Sequence, residues 1–249
     1  MNKIVIANFK MNKTDKETKE YLINFLAKYE DYKSNLIMAF PFTSLATAKY
    51  MLDGRKIALG AQNICEDDKE GCTGEISGKM LVDCGVKYVI VGHSERRNKF
   101  KEDSKKINNK IKNALKNRMT AIVCVGESLV DRNIMNTLST LKRQIEDALK
   151  GLYENELENI IIAYEPVWAI GSGKTPTAKE VELAVKSIRK VISDDFSSKA
   201  GEQIKIVYGG SLTPKNIGVF KDIKGLDGVL VGGGCLDSNI FIQIINSII

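Results

Sequence analysis

The sequence predicts an α/β fold: a (βα)8 barrel, eight parallel strands ringed by helices, as a single domain over residues 1–249. Eight short β-branched runs alternate with stretches whose apolar residues recur at helical spacing. The 249 residues divide into eight units of about 30, the size of a minimal barrel. The first run leads into "ANFKMNKT", which has no glycine, whereas an open nucleotide-binding sheet would more often place G-x-G-x-x-G there. No low-complexity linker or composition break divides the chain.

The strand candidates, in order, are "KIVIANF", "NLIMAFP", "KIALGAQ", "KYVIVGH", "TAIVCVG", "NIIIAYE", "IKIVYGG" and "GVLVGGG". Near-continuous apolar runs of this length suit strands buried on both faces, as in a parallel sheet covered by helices. After the first strand, Tyr21, Leu22, Phe25, Leu26 and Tyr29 share one helical face. Thr14 with Glu17 gives that helix a capping box, in which hydroxyl and carboxylate satisfy orphan backbone donors. "SERR" after the fourth strand opens a helix. Leu138, Leu141, Ile145, Ala148, Leu149 and Leu152 form the face that follows the fifth strand. Thr177 with Glu180 caps the next, whose face is Val181, Ala184, Val185, Ile188, Val191 and Ile192. Thr213 before Pro214 reads as an N-cap with proline at the first helical position. The last face is Ile240, Phe241, Ile244, Ile245 and Ile248.

Bulk properties narrow the function. No apolar run approaches the roughly 18 residues that a bilayer span needs, and "MNKIVIANFK" is too short in apolar length for a signal peptide. A cytoplasmic protein is expected. The net charge of +6 comes from lysines interleaved with acids, as in "KTDKETKE" and "KFKEDSKK", which describes solvated helix faces rather than a nucleic-acid groove. Five cysteines (Cys65, Cys72, Cys84, Cys124, Cys235) have no C-x-x-C spacing, so they define neither a disulfide framework nor a zinc pattern. The single histidine, His93, rules out a His-rich metal site.

In a barrel the C-terminal strand ends meet at one face, and that face carries the site. It would gather Asn8 and Lys10, then His93, Ser94 and Glu95, then Glu127, then Glu165, with "YGGSL" and "VGGGC" closing the last two strands. Glycine-rich turns let backbone N–H groups converge on one anion, and two of them on strands seven and eight match the phosphate site of this architecture. "GSGKT" is no P-loop, because that motif needs glycine where Trp168 stands. At a helix start His93 would act as a neutral hydrogen-bond donor, and Lys10 would neutralise an anionic substrate. Glu95 and Arg96 read as an ion pair, a helix start or a secondary proton handler; Glu127 as a helix-start charge or a rim ion pair; Cys124 as a small core residue.

"ANFKMN", "GAQN", "TGEIS", "VGHSERR", "AYEPVWAIGSGKTPT", "YGGSL" and "GVLVGGG", in this order, resemble the triosephosphate isomerase family across the whole chain. The resemblance implies a TIM barrel that interconverts dihydroxyacetone phosphate and D-glyceraldehyde 3-phosphate through an enediol(ate), in glycolysis and gluconeogenesis. It implies Glu165 as base, His93 as electrophile, and Lys10 with Asn8 as stabilisers of the intermediate; this family is itself the standard example of that glutamate–histidine pairing. Asn8, Lys10, Gly171, Ser211, Gly232 and Gly233 would bind the substrate and its phosphate, with Ser94 and Glu95 in support. Neither metal nor organic cofactor is implied. The segment after Asn63 would reach a partner's site through Thr73, giving a homodimer. Residues 167–175 would form a lid with an open and a closed position.

This chain departs from the family's pattern at several places. Cys72 replaces an aromatic at the dimer contact, Ser172 a threonine in the lid, and Phe9 a tryptophan. "SLVDRNIMNTL" lacks a glycine after its arginine, which leaves that helix start undefined. Gly234-Cys235 stands where Ala-Ser is usual, and is expected to loosen the chain beside the phosphate turn. Competing readings are another phosphosugar barrel enzyme and a non-catalytic binding or adhesion protein on the same scaffold. Metal-dependent epimerases need more histidines than one, and an inactive descendant would be expected to lose Glu165, His93 or Lys10.

Overall fold

A computed structural model describes residues 3–30, 35–69, 71–133, 135–170 and 174–248. Eight strands close into one barrel: β1 (Ile4–Asn8), β2 (Asn35–Phe40), β3 (Ile57–Ala61), β4 (Tyr88–Val91), β5 (Thr120–Val125), β6 (Ile160–Tyr164), β7 (Lys205–Tyr208) and β8 (Gly228–Val231). Every neighbouring pair is parallel, and the ring closes where Ile4 pairs with Gly228. All eight predicted strands are present.

The strands are apolar throughout because each divides its side chains between two cores. Ile4, Ile6, Ile37, Ala39, Ile90, Ile122, Cys124, Ile161, Ala163, Val207 and Leu230 fill the barrel interior. The alternating residues, such as Val5, Ala7, Val123 and Ile162, face the ring of helices. Each fully buried aliphatic side chain contributes about 1.5–3 kcal/mol, so both faces of the sheet stabilise the fold. β-Branched residues at successive positions also keep these short segments extended.

The helices dock by the predicted faces, with three exceptions. Thr14 and Thr177 make complete capping boxes with Glu17 and Glu180 at the starts of Asp15–Leu26 and Ala178–Asp195. Leu138 lies on the first turn of the helix Thr137–Leu149 and is 55% exposed, leaving Leu141, Ile145, Ala148 and Leu149 to pack. Ile240 is 41% exposed and lines the mouth of a cavity instead of the core. Thr213 does not cap a helix. Its own N–H is bound by Asn216 Oδ1 at 2.8 Å, residues 214–217 form turns, and the helix runs only over Gly218–Lys221. The region that lacked a glycine resolves into two short-linked helices, Leu129–Asn133 and Thr137–Leu149. No helix among the described residues is long and apolar enough to cross a membrane.

Gly228 governs closure. A Cβ there would lie 1.9 Å from the Ile4 carbonyl oxygen and 2.8 Å from the Ile4 nitrogen, both backbone atoms that cannot rotate away. Gly228→Ala is therefore expected to open or displace the β1–β8 seam and to destabilise by about 3 kcal/mol or more. Urea unfolding of the variant, or its failure to accumulate as folded protein, reads this out; an unfolding midpoint equal to that of the unaltered chain would contradict it.

Candidate active site

The ends of β1, β4, β6, β7 and β8 surround one cavity of about 990 Å³, whose wall includes Asn8, Lys10, His93, Glu95, Ser211, Gly232 and Gly233. Asn8 ends β1 and is 4% exposed. Two residues on, Lys10 has φ of 51°, a left-handed conformation disfavoured for a residue with a side chain. Asn8 holds it there, its Oδ1 accepting the Lys10 N–H at 3.0 Å. The turn carries the ammonium to Glu95, with Nζ 2.7 Å from Oε1. Burial pushes the Glu95 carboxyl up, but the Lys10 hydrogen bond and charge outweigh it and hold the group below its ordinary value. Of the readings open for Glu95, the ion pair is made, but with Lys10; Arg96 pairs with Glu102 at 2.7 Å.

His93 is the N-cap of the helix Ser94–Lys99, and its ring does the capping. Nδ1 accepts the Glu95 N–H at 3.2 Å. A ring nitrogen that accepts carries no hydrogen, so the neutral tautomer places its N–H on Nε2. Nε2 lies 3.3 Å from Glu165 Oε1. Glu165 follows β6 and is 1% exposed; its N–H donates to Val125 O at 2.7 Å and its Oε2 accepts the Ser94 N–H at 3.3 Å. The carboxylate thus rests on the N-terminus of the histidine's own helix, where partial positive charge favours an anion. It stands just behind the cavity wall rather than in it.

Glycines at the end of β7 have packing duties that the sequence did not reveal. A Cβ at Gly209 would meet Glu165 Cγ at 2.9 Å, and one at Gly210 would meet the Tyr208 hydroxyl at 1.9 Å. The first leaves room for the Glu165 side chain, the second for the Tyr208 ring. Tyr208 Oη is buried without a hydrogen-bond partner among the described residues. Gly126 is also required: a Cβ there would strike the Glu165 carbonyl oxygen at 1.7 Å.

Glu127 is neither a helix-start charge nor a rim ion pair. It is 2% exposed, and its Oε1 accepts from Trp168 Nε1 at 2.7 Å and from Tyr164 Oη at 3.2 Å. Burial pushes its carboxyl above the ordinary value, more than those donors pull it down. A carboxylate two residues past a strand gave no sequence signal of burial, because its partners come from elsewhere in the chain. Cys124 is the core residue expected, inside the barrel against Glu165; burial and that neighbouring carboxylate push its thiol well above the ordinary value.

Residues 3–248 match the family model described as triosephosphate isomerase. The chain belongs to the triosephosphate isomerase family. It is 40% identical to the triosephosphate isomerase of Alkaliphilus metalliredigens over 98% of each chain. It is 41% identical to that of Dictyoglomus thermophilum over 98% of this chain and 99% of the relative. The triosephosphate isomerase of Thermoanaerobacter pseudethanolicus is 39% identical over 98% of each.

As an isomerase-family site, the cavity gathers most of the residues named from sequence. Asn8, Lys10, His93, Glu95, Ser211, Gly232 and Gly233 form its wall, with Glu165 and Ser94 immediately behind. Gly171 and residues 172 and 173, expected to belong to the lid, lie outside the described residues. Thr73 is exposed in the turn closed by Glu75 N–H to Cys72 O at 3.0 Å and is not part of the cavity wall. No group of three or more His, Cys, Asp or Glu side chains among the described residues is placed to hold a metal ion.

Around Gly234, expected to loosen the chain after β8, there is little spare room. A Cβ at 234 would lie 2.8 Å from Ile244 Cδ1, 2.9 Å from Leu212 O and 3.2 Å from Val231 Cγ1, so the missing side chain lets the turn pack closely against the segment after β7, the end of β8 and the helix Ser238–Ile248. Gly234→Ala, despite restoring the residue usual in the family, should cost about 1–3 kcal/mol here and raise KM more than it lowers kcat. Thermal unfolding with steady-state kinetics measures both; a variant with unchanged stability and KM would show that the turn has slack.

Proposed function

We propose that this cavity carries the family's reaction with Glu165 as the base, His93 as the electrophile, and Lys10 and Asn8 as the groups that stabilise and position. As a family member the chain is an intramolecular aldose–ketose isomerase, interconverting dihydroxyacetone phosphate and D-glyceraldehyde 3-phosphate in glycolysis and gluconeogenesis. The observation that supports the assignment most directly is the 3.3 Å approach of His93 Nε2 to Glu165 Oε1, with Nδ1 already committed to the Glu95 N–H. The nitrogen that carries the hydrogen of the neutral imidazole thus faces the carboxylate, where the wall of the cavity meets the residue behind it.

The steps follow from that arrangement. The phosphate sits against Ser211, Gly232 and Gly233, with Gly171 expected to join them. The substrate carbonyl oxygen then faces the Nε2–H of His93 and the ammonium of Lys10. Glu165 leaves the Ser94 N–H, turns into the cavity, takes a proton from the carbon that bears the hydroxyl and returns it to the former carbonyl carbon, while His93 gives its Nε2 proton to the carbonyl oxygen and takes one back from the neighbouring hydroxyl. Negative charge developing on oxygen meets the Lys10 cation and the imidazole N–H, donors already in place before the charge forms. Glu95, which pairs with Lys10 in the ligand-free site, keeps that ammonium aimed at the pocket between turnovers. Ser94 contributes through its backbone, by parking the base.

A homodimer completes the proposal, and the cytoplasm is its expected place of work. Met11 at 96% and Phe100 at 64% exposure follow the C-terminal ends of β1 and β4. Together with the Thr73 turn after β3, they supply apolar surface that a second copy would cover. Thr73→Arg should shift the chain to monomer in sedimentation velocity and lower its specific activity; a dimer that survives the charge would exclude Thr73 from the contact.

The central test is Glu165→Gln, assayed by conversion of dihydroxyacetone phosphate with a coupled dehydrogenase. Loss of a positioned general base costs roughly 10²–10⁴-fold in kcat. Inorganic phosphate should still compete, because its site lies on β7 and β8. Turnover unchanged in the variant would refute the base assignment.

A further inference from the structure

One cation outside the cavity wall engages both the turn that follows Glu165 and the start of the next long helix. Arg132 lies on the helix Leu129–Asn133, with its guanidinium carbon 3.7 Å from the centre of the Trp168 ring. Its Nη2 is 2.5 Å from Glu180 Oε1. Trp168 belongs to the 3-10 turn Val167–Ala169, three residues past Glu165, and its indole N–H donates to Glu127. The second oxygen of Glu180 accepts from the N–H and hydroxyl of Thr177 at 2.7 and 2.9 Å, closing the capping box of Ala178–Asp195.

A guanidinium can do both jobs at once, because its flat face stacks on an aromatic ring while its edge donates hydrogen bonds. An ammonium is a compact point charge with no flat face to stack on the ring. The Arg132 and Glu180 side chains are 37% and 39% exposed, so their ion pair adds little to global stability. What it supplies is geometry. Val167 N–H already donates to Glu127 O at 3.0 Å and Glu165 N–H to Val125 O, so the turn is pinned on its inner side. Arg132 is the outer wall against which the Trp168 ring rests.

We infer that Arg132 is a positioning residue of the isomerase: by stacking on Trp168 and holding Glu180, it sets the resting position of the Pro166–Ala169 turn and so the place from which Glu165 works. It does not line the cavity and touches no substrate. The inference rests on Glu165 being the base. Glu165→Gln tests that reading separately, and full turnover there would sink the base assignment while leaving the Arg132–Trp168 contact standing.

Trp168 is the only tryptophan in the chain, so intrinsic fluorescence reads the contact directly. Arg132→Met should change the Trp168 emission and lower kcat about tenfold, with KM within about twofold, since small misplacements of a reacting group act on the chemical step. Its thermal midpoint should stay within a few degrees, as expected for a partly exposed pair. Arg132→Lys should restore only part of kcat. Glu180→Gln should lower kcat less than Arg132→Met does, and the double variant should be no worse than Arg132→Met alone, because both changes remove one shared contact. The inference is overturned if Arg132→Met keeps kcat within twofold, if kcat falls only in proportion to folded protein, or if lysine restores it fully.

Discussion

The seam between β1 and β8 closes on a residue without a side chain, and everything else in the molecule depends on that closure. Strand pairing there brings the Ile4 backbone to where a Cβ on residue 228 would stand 1.9 Å from its carbonyl oxygen. A closed parallel sheet has no edge, so each strand satisfies its backbone on both sides and can be apolar on both faces. Closure also aligns all eight strand ends at one rim. Only then do Asn8 from the first strand, His93 after the fourth and Glu165 after the sixth become neighbours, although 72 residues separate the last two.

At that rim the energetic problem is a carboxylate almost out of water. Glu165 would be costly to bury alone. Its surroundings supply a helix N-terminus through the Ser94 N–H and an imidazole nitrogen 3.3 Å from Oε1, an oxygen that otherwise has no hydrogen-bond partner among the described residues. The groups that make burial of Glu165 tolerable are the ones the proposed mechanism uses, so one arrangement would serve both ends. Glu127 is the contrasting case. It is buried behind the base with two neutral donors and no opposing charge in direct contact, and its carboxyl is pushed up accordingly. One acid is kept close to the cavity, while the other is spent on orienting Trp168 and Tyr164.

The strands and the convergence of Glu165, His93, Lys10 and Asn8 were legible because they rest on local rules: β-branched runs, capping boxes and the rim of a closed barrel. What stayed hidden depended on partners remote in sequence. The left-handed turn at Lys10 has no glycine to announce it, and it exists because Asn8 reaches forward to hold its N–H. Glu127 looked like a rim charge because Trp168 is 41 residues away. Gly234 looked like slack because nothing local reveals that Leu212 O and Ile244 crowd the place of its missing side chain. Thr213 misled for the opposite reason: the local N-cap pattern is there, and Asn216 Oδ1 accepts the Thr213 N–H, but residues 214–217 stay as turns and the helix starts only at Gly218.

The sequence by itself determined the barrel, the order of its strands, and the family whose chemistry its residues match. Those follow from periodicity and motif, which are properties of neighbouring residues. Only the tertiary structure decided which side chains carry charge into the cavity, which are buried behind it, and why particular glycines are required. It also placed Arg132, from a helix after β5, against the turn that follows Glu165. The reason is physical: burial, van der Waals overlap and the pairing of opposite charges are set by distances across the fold, and those distances exist only once the eighth strand has closed on the first.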